Sequence, residues 1–180
     1  MLTLPERIVA LEHGLAEIPH AFGGALALAY YAEPRATIDI DLNLFVHVDR
    51  FPDVAAPLLA LGVAASEPNA VASVAHDGQG RVMWDNTPID LFFAYDAFHD
   101  AAAGARRTVP FAATTIPILA SEHLVVCKVV FDRPKDWVDI DAMLAAEVAL
   151  DAAEVLRWVG RIAGDRDPRY DRIAAVLTRG

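Results

Sequence analysis

The chain has 180 residues, of which 15 are basic and 25 acidic, so its formal net charge is −10. This length suits one ordinary domain with a sizeable core, and the longest uncharged, mostly apolar run, residues 21–32, is too short to span a bilayer. The acidic balance argues against a protein that binds nucleic acid non-specifically, because such proteins need a basic surface.

Cysteine usage and the N-terminal residues indicate the compartment. Cys127 is the single cysteine, which excludes an internal disulfide framework. The first residues carry Glu6, Glu12 and Glu17 in an amphipathic pattern and lack a basic head followed by an apolar block. We therefore expect no signal peptide and a cytoplasmic protein.

Apolar spacing predicts the first elements. A leading helix is expected from about Pro5 to Glu17. The pair Gly23-Gly24 then begins a short apolar helix, which ends at Glu33-Pro34 because proline disfavours the helical region for the residue before it. A strand follows, with apolar residues on one face and polar residues on the other. Its apolar face comprises Ile38, Ile40, Leu42 and Leu44, and its polar face comprises Asp39, Asp41 and Asn43.

The middle of the chain alternates between turn signals and short apolar runs. A helix is predicted from Asp49 to Leu61, with Asp49 as its cap. Turn residues 77–80 predict a hairpin between a weak strand at Val71–Val74 and a stronger one at Arg81–Trp84. Further strands are expected at residues 89–95, 107–111 and 114–118.

After Pro117 the pattern becomes helical. Ser121 is a suitable cap for a helix to Asp132, and Pro134 suits the first position of the next helix. Helices are also predicted at residues 151–162 and 168–177. The sequence thus predicts an α+β fold, with a small mixed or antiparallel sheet and flanking helices in residues 1–118 and a helical C-terminal subdomain in residues 119–180.

Two carboxylates are the most informative chemical feature. Asp39 and Asp41 are two residues apart on a strand and so share a face, with backbones about 6.6 Å apart. Both carboxylates can converge on a divalent metal, and hard oxygen ligands favour Mg²⁺ or Mn²⁺. The alternative is a solvated acidic face on an edge strand.

Asp90 and the glycine pair add to this pattern. Asp90 lies in a second strand-like run among large apolar residues, where a carboxylate is costly to bury unless it is paired or metal-bound. If the two strands are neighbours, three carboxylates meet on one sheet face; otherwise Asp90 is a strand-entry residue that faces water. Gly23 and Gly24 can let backbone N–H groups approach a phosphate, although such a pair is often only a tight turn.

Together, these residues resemble the nucleotidyltransferase superfamily related to DNA polymerase beta. Its signature is a glycine turn, a helix, an acidic D-x-D strand and a later carboxylate, which correspond here to Gly23-Gly24, Asp39-Ile40-Asp41 and Asp90. Within it, the segments at residues 35–42 and 127–140 look most like the AbiE-type toxin group, which carries R-x-T-x-D-I-D and K-x-x-x-x-R-x-K-D-x-x-D patterns.

The resemblance implies roles for the matched residues. Asp39, Asp41 and Asp90 would bind metal, with Asp90 also a candidate general base on the acceptor hydroxyl. Gly24 stands where many members have a serine that holds phosphate, so phosphate binding would depend on backbone groups. The nucleotide-binding residues that the resemblance implies are Gly23, Gly24, Arg35, Thr37 and Lys128.

The region from Lys128 to Asp139 allows a second interpretation. Lys128 and Asp132 are four residues apart, as are Lys135 and Asp139, and such pairs are common on helix surfaces. Residues 133–136 also suit a simple helix–helix corner, and the functions of Arg133, Lys135 and Asp136 stay open.

The implied activity is Mg²⁺- or Mn²⁺-dependent transfer of a nucleoside monophosphate from a nucleoside triphosphate to a hydroxyl, with release of pyrophosphate. An AbiE-type toxin would act on RNA, such as a tRNA end, or on protein, and would have a cognate antitoxin. One alternative is an aminoglycoside or lincosamide nucleotidyltransferase, since the acidic charge suits a cationic drug. Another is a non-catalytic binding module, for instance an antitoxin.

Overall fold

A computed structural model describes residues 2–178, apart from the side chains of residues 68–71. Its contacts divide the chain into two compact units: Met1–Leu26 with Ala36–Leu119, and Ala27–Arg35 with Ala120–Gly180. The helices are α1 (Leu4–Gly14), α2 (Gly24–Leu28), α3 (Phe51–Ala60), α4 (Pro68–Asp77), α5 (Ala97–Ala105), α6 (Ser121–Phe131), α7 (Pro134–Ala145), α8 (Ala152–Ala163) and α9 (Pro168–Leu177). The strands are β1 (His20–Phe22), β2 (Ile40–His47), β3 (Gln79–Trp84), β4 (Thr87–Ala94), β5 (Arg107–Phe111) and β6 (Thr114–Ile118).

The first unit is built on a mixed sheet. Within residues 2–178 its strand order is β3-β4-β2-β1-β6-β5. The pairs β2–β4 and β1–β6 are parallel, whereas β1–β2, β3–β4 and β5–β6 are antiparallel. The predicted α+β fold with a mixed sheet, flanking helices and a helical C-terminal part is confirmed. Whether the two units are separate folding domains stays a prediction.

The central strands β2 and β4 each bury one apolar face. Their apolar side chains alternate with polar ones, as expected when only one face of a strand joins the core. The buried residues are Ile40, Leu42 and Leu44 on β2 and Ile89, Leu91 and Phe93 on β4. The acidic residues of these strands consequently lie on the opposite face.

The hairpin between β3 and β4 is anchored to α1. Its turn includes Asp85, whose φ of 49° is in the left-handed region. The buried side chain of Arg7 donates a hydrogen bond to the carbonyl of Trp84 and pairs with Asp85, with 2.8 Å between Arg7 Nη2 and Asp85 Oδ2. This anchor holds the turn that sets the register between the two strands.

Two details of the first predicted elements are wrong. Ile38 was expected on the apolar face of the strand, but β2 begins at Ile40 and the side chain of Ile38 is 73% exposed. The expected cap residue Asp49 lies in a 3₁₀ turn, Val48–Arg50, and α3 begins only at Phe51. Proline at the second position of α3 suits a helix start there.

Two helices differ from the sequence-based prediction. Val71–Val74 was predicted as a weak strand but lies inside α4, whose C-terminal cap is Gly78 with a φ of 66°. A left-handed glycine commonly ends a helix, so the turn signal at residues 77–80 marks a helix end rather than a hairpin. Helix α5 was not predicted; the side chain of Asp96 caps it by accepting a hydrogen bond from the N–H of Phe98.

The second unit contains the four C-terminal helices, close to their predicted bounds. Pro134 is in the first turn of α7 and Asp151 caps α8, whereas Ser121 is the first residue of α6 rather than its cap. Arg169 at the start of α9 donates to the carbonyl of Val130, at the end of α6. Of the helices in residues 2–178, none is long and apolar enough to cross a membrane.

Candidate active site

Three neighbouring strands place one basic and two acidic residues in a row. Asp90 on β4 is the register partner of Asp41 on β2 and, on its other side, of Arg81 on β3. Register partners project on the same face of a sheet, so the side chains of Arg81, Asp90 and Asp41 share one face. The strands of Asp41 and Asp90 are therefore neighbours, which is the condition on which the predicted three-carboxylate cluster depended.

Asp39 extends this row from the residues just before β2. Like Asp41, it is partly exposed, and the hydroxyl of Thr37 donates a hydrogen bond to Asp39 Oδ1. Thr37, which was predicted to bind nucleotide, thus contacts a predicted metal ligand. Its role in nucleotide binding stays a prediction.

Arg81 holds both oxygens of Asp90. The distances are 2.6 Å from Arg81 Nε to Asp90 Oδ1 and 2.7 Å from Nη2 to Oδ2, which is a bidentate arrangement. The hydrogen bond and charge of Asp90 raise the pKa of Arg81, and the charges of Asp39 and Asp41 add to this increase. Arg81 is therefore attracted by all three carboxylates.

The glycine pair packs directly against the strand that carries Asp41. The N–H of Gly23 donates to the carbonyl of Asp41 at 2.9 Å. Gly24 has a φ of +53°, and a Cβ there would overlap the carboxylate oxygen Asp41 Oδ2. A Cβ at Gly23 would lie 2.7 Å from Asn43 Nδ2. Both glycines make room for polar side chains of β2, and their predicted role as a phosphate cradle stays a prediction.

Two other predicted nucleotide-binding residues meet in the second unit. Lys128 Nζ lies 2.6 Å from Asp139 Oδ2, and both side chains are only 4% exposed. Arg35 donates to the two oxygens of the same carboxylate at 2.9 and 3.0 Å. Burial raises the pKa of Asp139, but hydrogen bonds from Arg35 and Lys128 outweigh it and leave the pKa lowered. Contact of Lys128 with phosphates stays a prediction, and here the residue is part of a buried ion cluster.

Residues 133–136 form the corner between α6 and α7. Asp136 is buried and accepts hydrogen bonds from the backbone N–H of Arg133, at 3.1 Å, and from its guanidinium Nε, at 2.6 Å. Such a carboxylate near a helix start satisfies N–H groups that the helix leaves unpaired. Lys135 is exposed on the first turn of α7. These contacts support the interpretation of Arg133 and Asp136 as a helix–helix corner.

The donor chemistry of the row suits a hard divalent cation. Carboxylate oxygens are the ligands that Mg²⁺ and Mn²⁺ prefer. No three Asp, Glu, His or Cys side chains among residues 2–178 are placed to hold a metal ion in this arrangement, and the Asp90 oxygens are directed to Arg81. Asp39 and Asp41 have the donor chemistry that such a cation needs, and the pair with Arg81 competes with a cation for the Asp90 oxygens.

Arg81 and Asp139 are the charged residues that the sequence interpretation missed. A two-residue turn at residues 85–86 would pair Trp84 with Thr87, and counting outward from it pairs Arg81 with Asp90, as observed. The signal for Arg81 was thus present in the sequence. Asp139 ends the K-x-x-x-x-R-x-K-D-x-x-D pattern and was otherwise interpreted as a surface partner of Lys135, and nothing local indicates that it is buried with Lys128 and Arg35.

The chain matches no protein-family model, and none of the curated protein sequences is significantly similar to it. Its fold is similar to that of solved nucleotidyltransferases. The solution structure of the antibiotic-resistance factor ANT(2'')-Ia aligns with a TM-score of 0.58 and 18% identity, covering 96% of this chain and 94% of that one. The crystal structure of ANT(2'')-Ia in complex with adenylyl-2''-tobramycin aligns with a TM-score of 0.61 and 18% identity, covering 89% of this chain and 97% of that one.

A third structure extends the same likeness. An antigenic nucleotidyltransferase-like protein from Paracoccidioides brasiliensis aligns with a TM-score of 0.53 and 16% identity, covering 97% of this chain and 92% of that one. The chain therefore has a nucleotidyltransferase fold along almost its whole length. The predicted superfamily resemblance is supported at the level of fold, and the AbiE-type subgroup is left as a proposal.

In Gly24→Ala, the added Cβ should push the Asp41 carboxylate aside. The main loss of stability should come from placing alanine at a positive φ. Gly78→Ala is a matched control, because Gly78 also has a positive φ but an added Cβ meets no atom within 4 Å. We expect each variant to lose about 1–2 kcal/mol of unfolding free energy in urea. Only Gly24→Ala should shift the ¹³C NMR signal of the Asp41 carboxyl group, and an unchanged signal would contradict the close packing.

Asp139→Asn should destabilise the second unit strongly. The variant leaves Lys128 buried without its carboxylate, and breaking a buried ion pair in this way costs about 3–5 kcal/mol. Asp141→Asn, on the exposed side of the same helix, is the matched control and should stay within about 0.5 kcal/mol of the wild type. Urea unfolding measures both, and equal stabilities would argue against a structural role for Asp139.

The stability contributed by Asp139 should be lost in acid. Because its pKa is lowered from the ordinary value of 3.8, the contribution is fully present above that value and declines as the pH falls through the lower folded-state pKa. The difference in unfolding free energy between wild type and Asp139→Asn should thus shrink at acid pH. A difference independent of pH would contradict this assignment.

Proposed function

We propose that the protein is a metal-dependent nucleotidyltransferase that transfers a nucleoside monophosphate from a nucleoside triphosphate to a hydroxyl acceptor. The observation that carries the proposal is the register of the sheet, which puts Asp41 beside Asp90 and leaves Asp39 at the entrance of the same strand. The nucleotidyltransferase fold supports it independently. A nucleotide-rich compartment such as the cytoplasm is the location that the proposal implies.

The residues of this face have distinct roles in the proposed reaction. Asp39 and Asp41 would hold Mg²⁺ or Mn²⁺, which when bound neutralises triphosphate charge. Asp90 would accept the proton of the acceptor hydroxyl as its oxygen attacks the α-phosphorus. The new O–P bond replaces the bond from the α-phosphorus to the bridging oxygen, and pyrophosphate leaves. Gly24 supports this geometry because it lets the Asp41 carboxylate lie against the turn.

Positioning is the main task of such a site, because transfer of a phosphoryl or nucleotidyl group needs alignment and charge stabilisation more than covalent chemistry. Paired strands hold Asp41, Asp90 and Arg81, and Asp39 lies just before the first residue of β2. In the second unit, Lys128 and Arg35 both donate to Asp139. In the proposed function they would bind a phosphate of the nucleotide in addition to this carboxylate.

For the acceptor, one observation favours a cationic small molecule. The ANT(2'')-Ia structures align over most of their length, and one of them contains adenylyl-2''-tobramycin. The net charge of −10 would also attract an aminoglycoside. An aminoglycoside-like amino sugar is therefore the small-molecule acceptor that we propose to test first.

The resemblance to AbiE-type toxins supports a different acceptor. It rests on the segments at residues 35–42 and 127–140, and it implies transfer to RNA or protein and a cognate antitoxin partner. Expression in a susceptible bacterium separates the two proposals. A drug acceptor predicts raised resistance without toxicity, whereas a toxin predicts growth arrest that an antitoxin relieves.

The activity can be tested with the four α-³²P nucleoside triphosphates, Mg²⁺, and panels of aminoglycosides, RNA and protein. We expect transfer by the wild type and a loss of at least about 100-fold in Asp41→Asn, because charge stabilisation at such a site is worth at least this factor. Asp49→Asn is the matched control, because Asp49 is exposed outside the strands and pairs with His47.

Calorimetry of Mn²⁺ and nucleotide binding complements the transfer assay. Wild type and Asp49→Asn should bind with the same affinity, and the Asp39→Asn/Asp41→Asn double variant should lose metal-dependent binding. Equal binding by the double variant would contradict the assignment of these carboxylates. Binding without transfer to any acceptor would instead favour the non-catalytic module.

A further inference from the structure

We propose that Arg81 is a positioning residue that holds Asp90 until a divalent cation displaces it. Arg81 would thus act as an exchangeable partner, and its release would make Asp90 available to the cation and the acceptor hydroxyl. This inference rests on the proposed function and adds a residue that neither the sequence motifs nor the fold comparison indicates. It is carried by the contacts of Arg81 and by its place at the edge of the sheet.

The contacts show that Arg81 lies where another partner of the Asp90 carboxylate would have to approach. Both carboxylate oxygens accept a hydrogen bond from Arg81, at 2.6 and 2.7 Å. The bidentate pair uses one lone pair on each carboxylate oxygen and places the guanidinium directly in front of the carboxylate. A cation or an acceptor hydroxyl that approaches Asp90 from that side therefore competes with Arg81.

The fold determines which of the two side chains moves. Asp90 lies on β4, between β3 and β2, and its chain neighbours Ile89 and Leu91 are fully buried. Arg81 lies on β3 at the edge of the sheet, and its side chain is 58% exposed against 19% for Asp90. Arg81 can thus swing into solvent without opening the core, while Asp90 keeps its position beside Asp41.

Charge explains why a divalent cation can compete with Arg81 for Asp90. Arg81 is drawn to Asp39 and Asp41 as well as to Asp90, so the negative charge of all three carboxylates helps to hold it. A divalent cation attracted by the same carboxylates competes with it directly. Because an exposed ion pair contributes little net free energy, the metal and the triphosphate can displace the guanidinium without a large loss.

Mn²⁺ titration by calorimetry tests the competition. Arg81→Gln removes the competing charge and should bind Mn²⁺ about three- to fivefold more tightly than the wild type, the effect expected when an exposed ion pair no longer has to be broken. Arg50→Gln is the matched control, because Arg50 pairs with Asp53 beside α3, away from the carboxylate row. Its affinity should be that of the wild type.

The same substitution made in an Asp90→Asn protein shows whether Arg81 acts through Asp90. In Asp90→Asn, the added Arg81→Gln change should no longer raise Mn²⁺ affinity, because the specific pair is already lost. A gain of equal size in both backgrounds would indicate a general field effect and overturn the proposal. So would an unchanged or weaker affinity of Arg81→Gln. Circular dichroism of each variant confirms that it is folded.

Arginine side-chain NMR observes the exchange in the wild type without any substitution. The Nε–H signal of Arg81, assigned by its absence in Arg81→Gln, should shift when Mg²⁺ and nucleotide are added, while the Arg50 signal stays in place. A static Arg81 signal at saturating metal would overturn the inference alone. Absence of saturable metal binding by the wild type would overturn the proposed function and this inference together.

Discussion

The register between β2 and β4 is the constraint on which the candidate site depends. Asp41 faces Asp90 only because Leu42 pairs with Leu91 and Ile40 with Ile89, and these apolar partners fill the core on the opposite face. A shift of one residue would turn the carboxylates into the core and the leucines into solvent, at a cost of several kcal/mol. The core therefore fixes the positions of the acidic residues before any ligand binds.

The same register brings the like charges of Asp41 and Asp90 together, and carboxylates are paired with cations in two different settings in this protein. On the sheet face, Arg81 pairs with Asp90 at an exposed edge, where the interaction is weak and can be exchanged. In the second unit, Asp139 is buried with Lys128 and also accepts from Arg35. There, loss of one partner would leave a buried charge, so the interaction is costly to break. Similar residue types thus serve different purposes according to their burial.

Local signals predicted much of the fold but failed where one signal is compatible with several structures. The alternation in residues 40–44 and 89–93 identified the two central strands, since a period of two with one apolar face is typical of a half-buried strand. Val71–Val74 was mistaken for a strand because four residues rich in valine do not distinguish the strand period from the helix period. Helix α5 was missed because the alanine-rich residues 97–105 show little contrast between polar and apolar positions.

From the sequence alone one could establish the acidic pair Asp39 and Asp41, the acidic strand of Asp90, the glycine turn and the helical C-terminal part, because each depends on residues close together in the chain. Only the tertiary structure decided that Asp90 lies beside Asp41 and that Lys128 is buried with Asp139. These contacts join residues 49 and 11 positions apart. Strand order and burial of charge are properties of the whole packed chain, so no local pattern could specify them.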